Sequence, residues 1–421
     1  MGKLKVAIIC HFSHSSIRKE LSLHRSSYSD YGLWMLNIIN GLKTRNDIEL
    51  QVISPHYGLK KSVQTFLSDG VSYYFYRPWF YGLVGRIEYW LEHYTNCLFT
   101  PSYFLRRKYV KEFIREIKPD LVNLVGAENL DYSVTALDIK DIPIILHCQT
   151  VYANPERKKN TGVVLKSRWK TELKLFHHVK YIACTGRMYY DLIKGYNPET
   201  IIFPRKWPVA EFPNIPEVPK KYDFVYFAGG FNQSKGFNNA IEAVAIVAKK
   251  HPELKFLGIG DWDDQNKVYK ARIKELGIED NVVIHPRFPQ YIDMLRYVKQ
   301  ARFALLPFKM DVVSGAMMEA LRLGLPVVAF RTSGTPALNK KRETVLVSDI
   351  DDNEALAANM IRLYEDAELA AKLQENGAQY IKEVDEKNAH NVEEMIEQYR
   401  AVIAHYHNGT PIPQTLLDNL E

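Results

Sequence analysis

The sequence predicts an α/β protein of two doubly wound domains facing one another across a cleft. Apolar runs of strand length alternate with helical patterns along the whole chain, which calls for parallel sheets with crossover helices. A proline-marked segment interrupts that alternation once, near the middle. A chain of 421 residues suits two large domains.

In the first half, strands are expected at Lys5–Cys10, Glu49–Ile53, Leu121–Val125, Ile142–His147 and Tyr181–Cys184. Helical spacing covers Leu33–Lys43, Arg106–Ile117 and Ser167–Phe176. Pro204, Pro208, Pro213, Pro216 and Pro219 then exclude helix and central strand and read as a stiff linker. The second half restarts with strands at Phe224–Ala228, Lys255–Ile259, Val282–His285, Phe303–Pro307, Val327–Phe330 and Thr344–Val347. Its helices are expected at Asn238–Lys250, Lys267–Leu276, Tyr291–Val298, Gly315–Leu323, Asn353–Glu365 and Ala367–Lys382. A last run, Asn391 to His405, is long enough to cross back onto the first domain. The expected partition is therefore 1–206, a 207–221 linker, 222–390 and a returning 391–421. In such sheets ligands sit at the carboxyl ends of strands, so the loops there carry the chemistry.

Composition is ordinary for a globular protein, 46% apolar and 25% charged. No stretch approaches the roughly 18 to 20 apolar residues that span a bilayer. The first strand starts at Lys5 with no signal-peptide core before it, which suggests a cytoplasmic protein. Cys10, Cys97, Cys148 and Cys184 show no metal spacing and read as reduced thiols. Residues 1–215 carry 30 basic against 19 acidic residues, or +11, and residues 216–421 carry 25 against 30, or −5. Much of the excess surrounds Arg77, Arg86, Arg106-Arg107-Lys108, Lys111 and Arg115, interleaved with Tyr73, Tyr74, Tyr76, Trp79, Tyr81, Trp90 and Tyr94. That mixture suits the anionic inner face of a membrane, and equally a solvated basic helix over an aromatic core. No recognition motif for nucleic acid accompanies it.

The densest chemistry lies between Pro307 and Phe330. Asp311 and Glu319 stand eight positions apart and flank a helix start, Ser314-Gly315-Ala316, with Ser314 as N-cap. Gly324 and Pro326 end that helix. Its first backbone N–H groups and positive dipole end suit a phosphate, and a carboxylate further in can accept from sugar hydroxyls. A plain βαβ unit decorated by two acids would look the same from this spacing alone. Upstream, Phe227-Ala228-Gly229-Gly230-Phe231-Asn232-Gln233-Ser234-Lys235-Gly236 links a strand to a helix, its paired glycines permitting close backbone approach and Lys235 adding a point charge.

These segments resemble the E-x7-E region and the G-R-x4-K-G loop of retaining glycosyltransferases of family 4, within the glycosyl transferases group 1, which have the GT-B fold of two Rossmann-like domains. Here the first acid is Asp311, and the family's phosphate-binding arginine falls on Gly230. Arg287 and Arg331 are candidates to replace that cation. The resemblance implies that Glu319 binds the ribose hydroxyls and Asp311 the donor sugar. It further implies Gly229, Lys235 and the Ser314, Gly315 and Ala316 amides at the diphosphate. Arg287 and Phe288, after the strand Val282–His285, fall where the family holds the base. In the first domain His147 closes its strand where the family has a histidine near the reacting sugar; a satisfied core histidine is the competing reading. The long polar loop from His11 to Tyr31 and the turn after Leu121–Val125 supply the acceptor-side candidates His14, Asp30, Gly32, Glu128 and Asn129.

The expected function is retaining, metal-independent transfer of a sugar from a UDP- or GDP-sugar to a glycan or lipid-linked oligosaccharide in polysaccharide or cell-surface glycan assembly. No cofactor is expected, and the catalytic group is His147, Asp311 and Glu319. Two alternatives are a non-catalytic nucleotide-sugar-binding protein and a GT-B nucleotide-sugar 2-epimerase. The first accommodates Gly230 and Asp311 without strain; the second has no use for the basic aromatic surface.

Overall fold

The structure, a computed structural model, describes residues 2–24, 31–32, 34–80, 82–95, 101–149, 151–154, 163–208, 212–261, 266–310 and 313–417. The chain divides into two compact units, Met1–Ala210 with Asn388–Glu421, and Glu211–Lys387.

The first unit holds eight strands: β1 (Leu4–Ile9), β2 (Ile48–Pro55), β3 (Val63–Ser68), β4 (Val71–Tyr76), β5 (Leu121–Val125), β6 (Ile144–His147), β7 (Tyr181–Cys184) and β8 (Ile201–Pro204). Their order is β3-β4-β2-β1-β5-β6-β7-β8, parallel except for the β3–β4 hairpin. Side-chain alternation along β1 assigns its two faces. Val6 and Ile8 join a core with the helix Trp34–Lys43 and with Met395, Ile396 and Tyr399 of the returning helix Asn391–Asn408. Ala7 and Ile9 join the opposite core with Val110, Phe113 and Ile117 of the helix Pro101–Ile117. Burial on both faces is why these strands are continuous apolar runs.

Three strands here differ from expectation. β3 and β4 form a hairpin closed by Asp69 and Gly70, with φ of 51° and 74°, a two-residue turn of the kind Asp-Gly favours. β8 ends in Pro204, which an edge strand tolerates because its outer N–H has no ladder partner to lose. The hairpin also corrects the surface reading of the aromatic segment. Tyr73 and Tyr76 are buried on β4, and Arg106 is wholly buried, donating to Leu130 O (3.0 Å), Pro78 O (3.2 Å) and Asp131 Oδ1 (3.4 Å) beneath the Trp79 ring. Arg107 is paired with Asp138. Tyr81 and Cys97 lie outside the described residues. Cys10, Cys148 and Cys184 are buried and free, burial pushing the Cys184 thiol up to about 12.

The second unit holds β9 (Tyr222–Phe227), β10 (Phe256–Gly260), β11 (Val282–Pro286), β12 (Ala301–Leu306), β13 (Val327–Phe330) and β14 (Val345–Ser348). All pair in parallel, in the order β11-β10-β9-β12-β13-β14, the doubly wound arrangement. The strand direction of winding reverses between β9 and β12, so the loops leaving those two strands diverge around a crevice at their carboxyl ends. In the first unit the same switch lies between β1 and β5.

Candidate functional site

At the β9/β12 switch point the loop 228–236 and the segment after β12 are locked together. Gly236 adopts φ 68°, and a Cβ there would lie 1.9 Å from the Pro307 carbonyl oxygen, so only glycine fits. Lys309 N donates to Ser234 O at 3.1 Å, and Tyr226 Oη donates to Lys235 O at 3.2 Å. The Lys235 ammonium lies 5.0 Å from the centroid of Phe308. Gly229 and Gly230, by contrast, face open space and have no left-handed φ. Their value is room for a ligand, not a turn geometry.

The helix Gly315–Arg322 follows. Ser314 Oγ accepts from Met317 N at 3.1 Å, which leaves the Gly315 and Ala316 N–H groups without an intrahelical acceptor. One turn further, Glu319 is half-buried and accepts from Tyr291 Oη at 2.8 Å. Burial pushes the Glu319 carboxyl up, and the Tyr291 hydroxyl draws it part of the way back. Tyr291, from the first turn of the helix Tyr291–Val298, is absent from the sequence-based candidates; it is held to Glu319 only by the fold. Asp311 lies outside the described residues.

The expected substitutes for the missing arginine each have an acid nearby. Arg287 Nη1 is 4.0 Å from Asp261, and Arg331 Nε donates to Asp349 Oδ1 at 3.0 Å. Lys309, a cation that sequence reasoning missed, is largely buried and paired with Asp351. Asp352 caps the helix Asn353–Glu365, accepting from Ala355 N at 2.9 Å. Phe288 stacks on His285 with ring centroids 4.0 Å apart and planes at 1°, so one of its faces is taken.

In the first unit His147 ends β6 and is completely buried. Its Nδ1 accepts from Trp207 Nε1 at 2.8 Å, so the neutral ring carries its proton on Nε2. Burial, with the Arg205 charge second, lowers its pKa to about 3. The acceptor-side candidates scatter. His14 Nδ1 caps the short helix Ser15–Arg18, accepting from Ser16 N at 3.2 Å. Gly32, φ 66°, lets the chain cross His11, since a Cβ would sit 2.1 Å from the His11 carbonyl oxygen. Asn129 Oδ1 accepts from Asp131 N at 3.0 Å, and the Glu128 carboxylate oxygens are 3.1 Å from where a Gly126 Cβ would be. Asp30 lies outside the described residues.

What gathers at the β1/β5 switch point is a group the candidate list largely missed. His11 stacks on Tyr31 at 4.2 Å and meets Tyr57 edge-on at 5.8 Å, and Tyr57 Oη donates to Asp131. Burial lowers the His11 pKa, and burial lowers that of nearby His56 to about 4. The position of His11 after β1 was the one available signal.

Residues 209–380 match the model of the family "Glycosyl transferases group 1". The C-terminal unit is a glycosyl transferases group 1 domain. The chain is also 22% identical over 308 residues to an uncharacterized glycosyltransferase of Haemophilus influenzae, covering 72% of this chain and 81% of that protein. Over 139 residues it is 33% identical to the amylovoran biosynthesis glycosyltransferase AmsK of Erwinia amylovora, 31% of this chain but only 33% of AmsK. In fold it is similar to the sucrose-phosphate synthase of Thermosynechococcus elongatus, with TM-score 0.69, 15% identity, and 96% and 100% of the two chains covered. It is similar also to WaaG, a lipopolysaccharide biosynthesis glycosyltransferase, at TM-score 0.64, 13% identity and 94% and 99% coverage. The protein is therefore a glycosyltransferase with the GT-B type of fold, its group 1 domain being the unit that carries Lys235 and Glu319.

Proposed function

We propose that this glycosyltransferase moves a hexose from a UDP- or GDP-sugar, with retention and without a metal, to a hydroxyl of a glycan or lipid-linked oligosaccharide in polysaccharide assembly. The observation that supports it most is the convergence at the β9/β12 switch point. An open diglycine, a lysine, a helix start whose first two N–H groups have no intrahelical acceptor and a half-buried carboxylate one turn into that helix all lie on adjoining segments. In this reading Lys235 and the Gly315 and Ala316 amides take the diphosphate, whose negative charge grows as the sugar leaves. Preorganised donors contribute most there. Glu319, oriented by Tyr291, accepts from the ribose hydroxyls. Asp311 holds the sugar, and Arg287 and Phe288 border the base. His147, neutral and protonated on Nε2, donates a hydrogen bond and abstracts no proton. Relatives named for amylovoran and lipopolysaccharide core biosynthesis favour a glycan acceptor.

The test is a thermal-shift panel of UDP, GDP, ADP and their sugars, followed by turnover with the donor of the best base in the presence of a chelator. A ligand at 100 times its Kd stabilises by about 2.7 kcal/mol, enough to rank the bases. A protein that shifts with none of them refutes the donor site, and binding without turnover on any acceptor favours a non-catalytic sugar-nucleotide binder.

A further inference from the structure

One helix of the first unit is turned inside out for a water-soluble surface. In Gly82–Thr95 the described buried positions are Gly85 and Glu88, the acid being 5% exposed. Leu83 (73% exposed), Val84 (58%), Ile87 and Trp90 (59%) face outward with Leu91. Positions 83, 87, 90 and 91 are spaced i, i+4, i+7, i+8, a single helical stripe, and an ordinary surface helix turns such a stripe to the core. Phe80 extends it at the amino end.

The margin of this stripe is basic. Arg86 is exposed beside it on the same helix. On Pro101–Ile117, which packs next to it, Phe104, Lys108, Lys111 and Arg115 are all exposed and spaced i, i+4, i+7, i+11. Of the exposed acids of that helix, Glu112 pairs with Lys108 at 3.8 Å and Glu116 lies off this line by helical geometry, so the line keeps a net positive charge. No described helix is long and apolar enough to cross a membrane, so any lipid contact is interfacial.

We propose that this face seats the protein on an anionic phospholipid bilayer, with Leu83, Ile87 and Trp90 entering the headgroup boundary and Arg86, Lys108, Lys111 and Arg115 meeting lipid phosphates. Charge selects this occupant over a second copy. A second copy would bring another set of these cations into the same contact, whereas anionic headgroups complement them. The seat rests on the lipid-linked acceptor reading only for its purpose, since binding to vesicles is measured without donor or turnover.

The experiment is cosedimentation of the full chain with phosphatidylcholine vesicles and with phosphatidylcholine/phosphatidylglycerol vesicles, at low and high salt. The expected result is pelleting with the anionic vesicles at low salt and at least about tenfold weaker binding in high salt or on neutral lipid. Leu83→Glu/Ile87→Glu should abolish binding, and Lys108→Glu/Lys111→Glu/Arg115→Glu should weaken it about tenfold or more. These side chains are exposed, so unchanged melting temperatures certify that the variants are folded. Equal recovery in the supernatant with every vesicle, or variants that bind as wild type, would overturn the proposal. So would a dimer in light scattering that Leu83→Glu/Ile87→Glu dissociates while vesicles capture nothing.

Discussion

Trp207 Nε1 donates to His147 Nδ1 across 2.8 Å, with the two rings nearly parallel at an interplanar angle of 10°. The bond fixes the imidazole as its Nε2–H tautomer, and Asn391 in turn holds the Trp207 carbonyl at 2.8 Å. His147 should therefore show the nitrogen shifts of a neutral Nε2–H ring throughout the neutral range. Trp207→Phe keeps the aromatic plane and removes the donor, and should mix the two tautomers. An unchanged spectrum in that variant would mean that something else orients the ring.

The same histidine makes a stability prediction. Its folded pKa, about 3, lies below the ordinary value of about 6.5. The unfolded chain thus binds the proton first as pH falls. The stabilisation is whole above pH ~6.5 and is lost on the way down towards 3, at a slope of up to about 1.4 kcal/mol per pH unit. His56, lowered to about 4, adds a slope of the same sign. Melting temperature should fall from pH 7 to 5, and less steeply in His147→Gln, which keeps an acceptor for Trp207.

Glu319 is a half-buried carboxylate that accepts from the Tyr291 hydroxyl. Glu319→Ala should cost about 2 kcal/mol or more of transition-state binding in kcat/KM. Glu319→Gln retains the bond from Tyr291 and removes the desolvated charge, so it should melt no lower than wild type at pH 7 while losing nucleotide affinity. Tyr291→Phe should raise the Kd for the nucleotide by about tenfold through a misplaced carboxylate, with a smaller effect on the melting temperature. Normal kinetics in Glu319→Ala would refute the ribose assignment.

Gly229 and Gly230 face open space whereas Gly236 does not, and the three sites should respond differently. Gly236→Ala forces a left-handed φ and a Cβ onto the Pro307 carbonyl, and should destabilise by about 1–3 kcal/mol. Gly229→Ala should be close to neutral for folding. Gly230→Arg has room for its Cβ and would put a cation on the loop assigned to the diphosphate, and should tighten nucleoside diphosphate binding by about tenfold in calorimetry. No gain would place the diphosphate away from this loop.

Much of the architecture was legible because burial on both faces writes parallel strands as plain apolar runs, as in Val6-Ala7-Ile8-Ile9 and Val327-Val328-Ala329-Phe330. The helix caps were local and so also legible, Ser314 to Met317 spanning three residues. The hairpin of β3 and β4 was hidden because its outer strand alternates between exposed and half-buried, leaving no continuous apolar signal. Arg106 and Trp79 looked like surface chemistry because a sequence lists charges without saying which carbonyls will satisfy them.

By itself the sequence determined the alternation of strands and helices in the two units, the glycine-rich run 228–236 and the capped helix start at Ser314, since each is written in local patterns of apolar, glycine and capping residues. Only the tertiary structure decided the rest. Tyr291 meets Glu319 across 28 positions, Trp207 meets His147 across 60, and Glu88 turns inward while Ile87 and Trp90 turn out. Such partners are chosen by which strands pair and which helix faces pack, and that free energy belongs to the assembled fold and to no single segment of the chain.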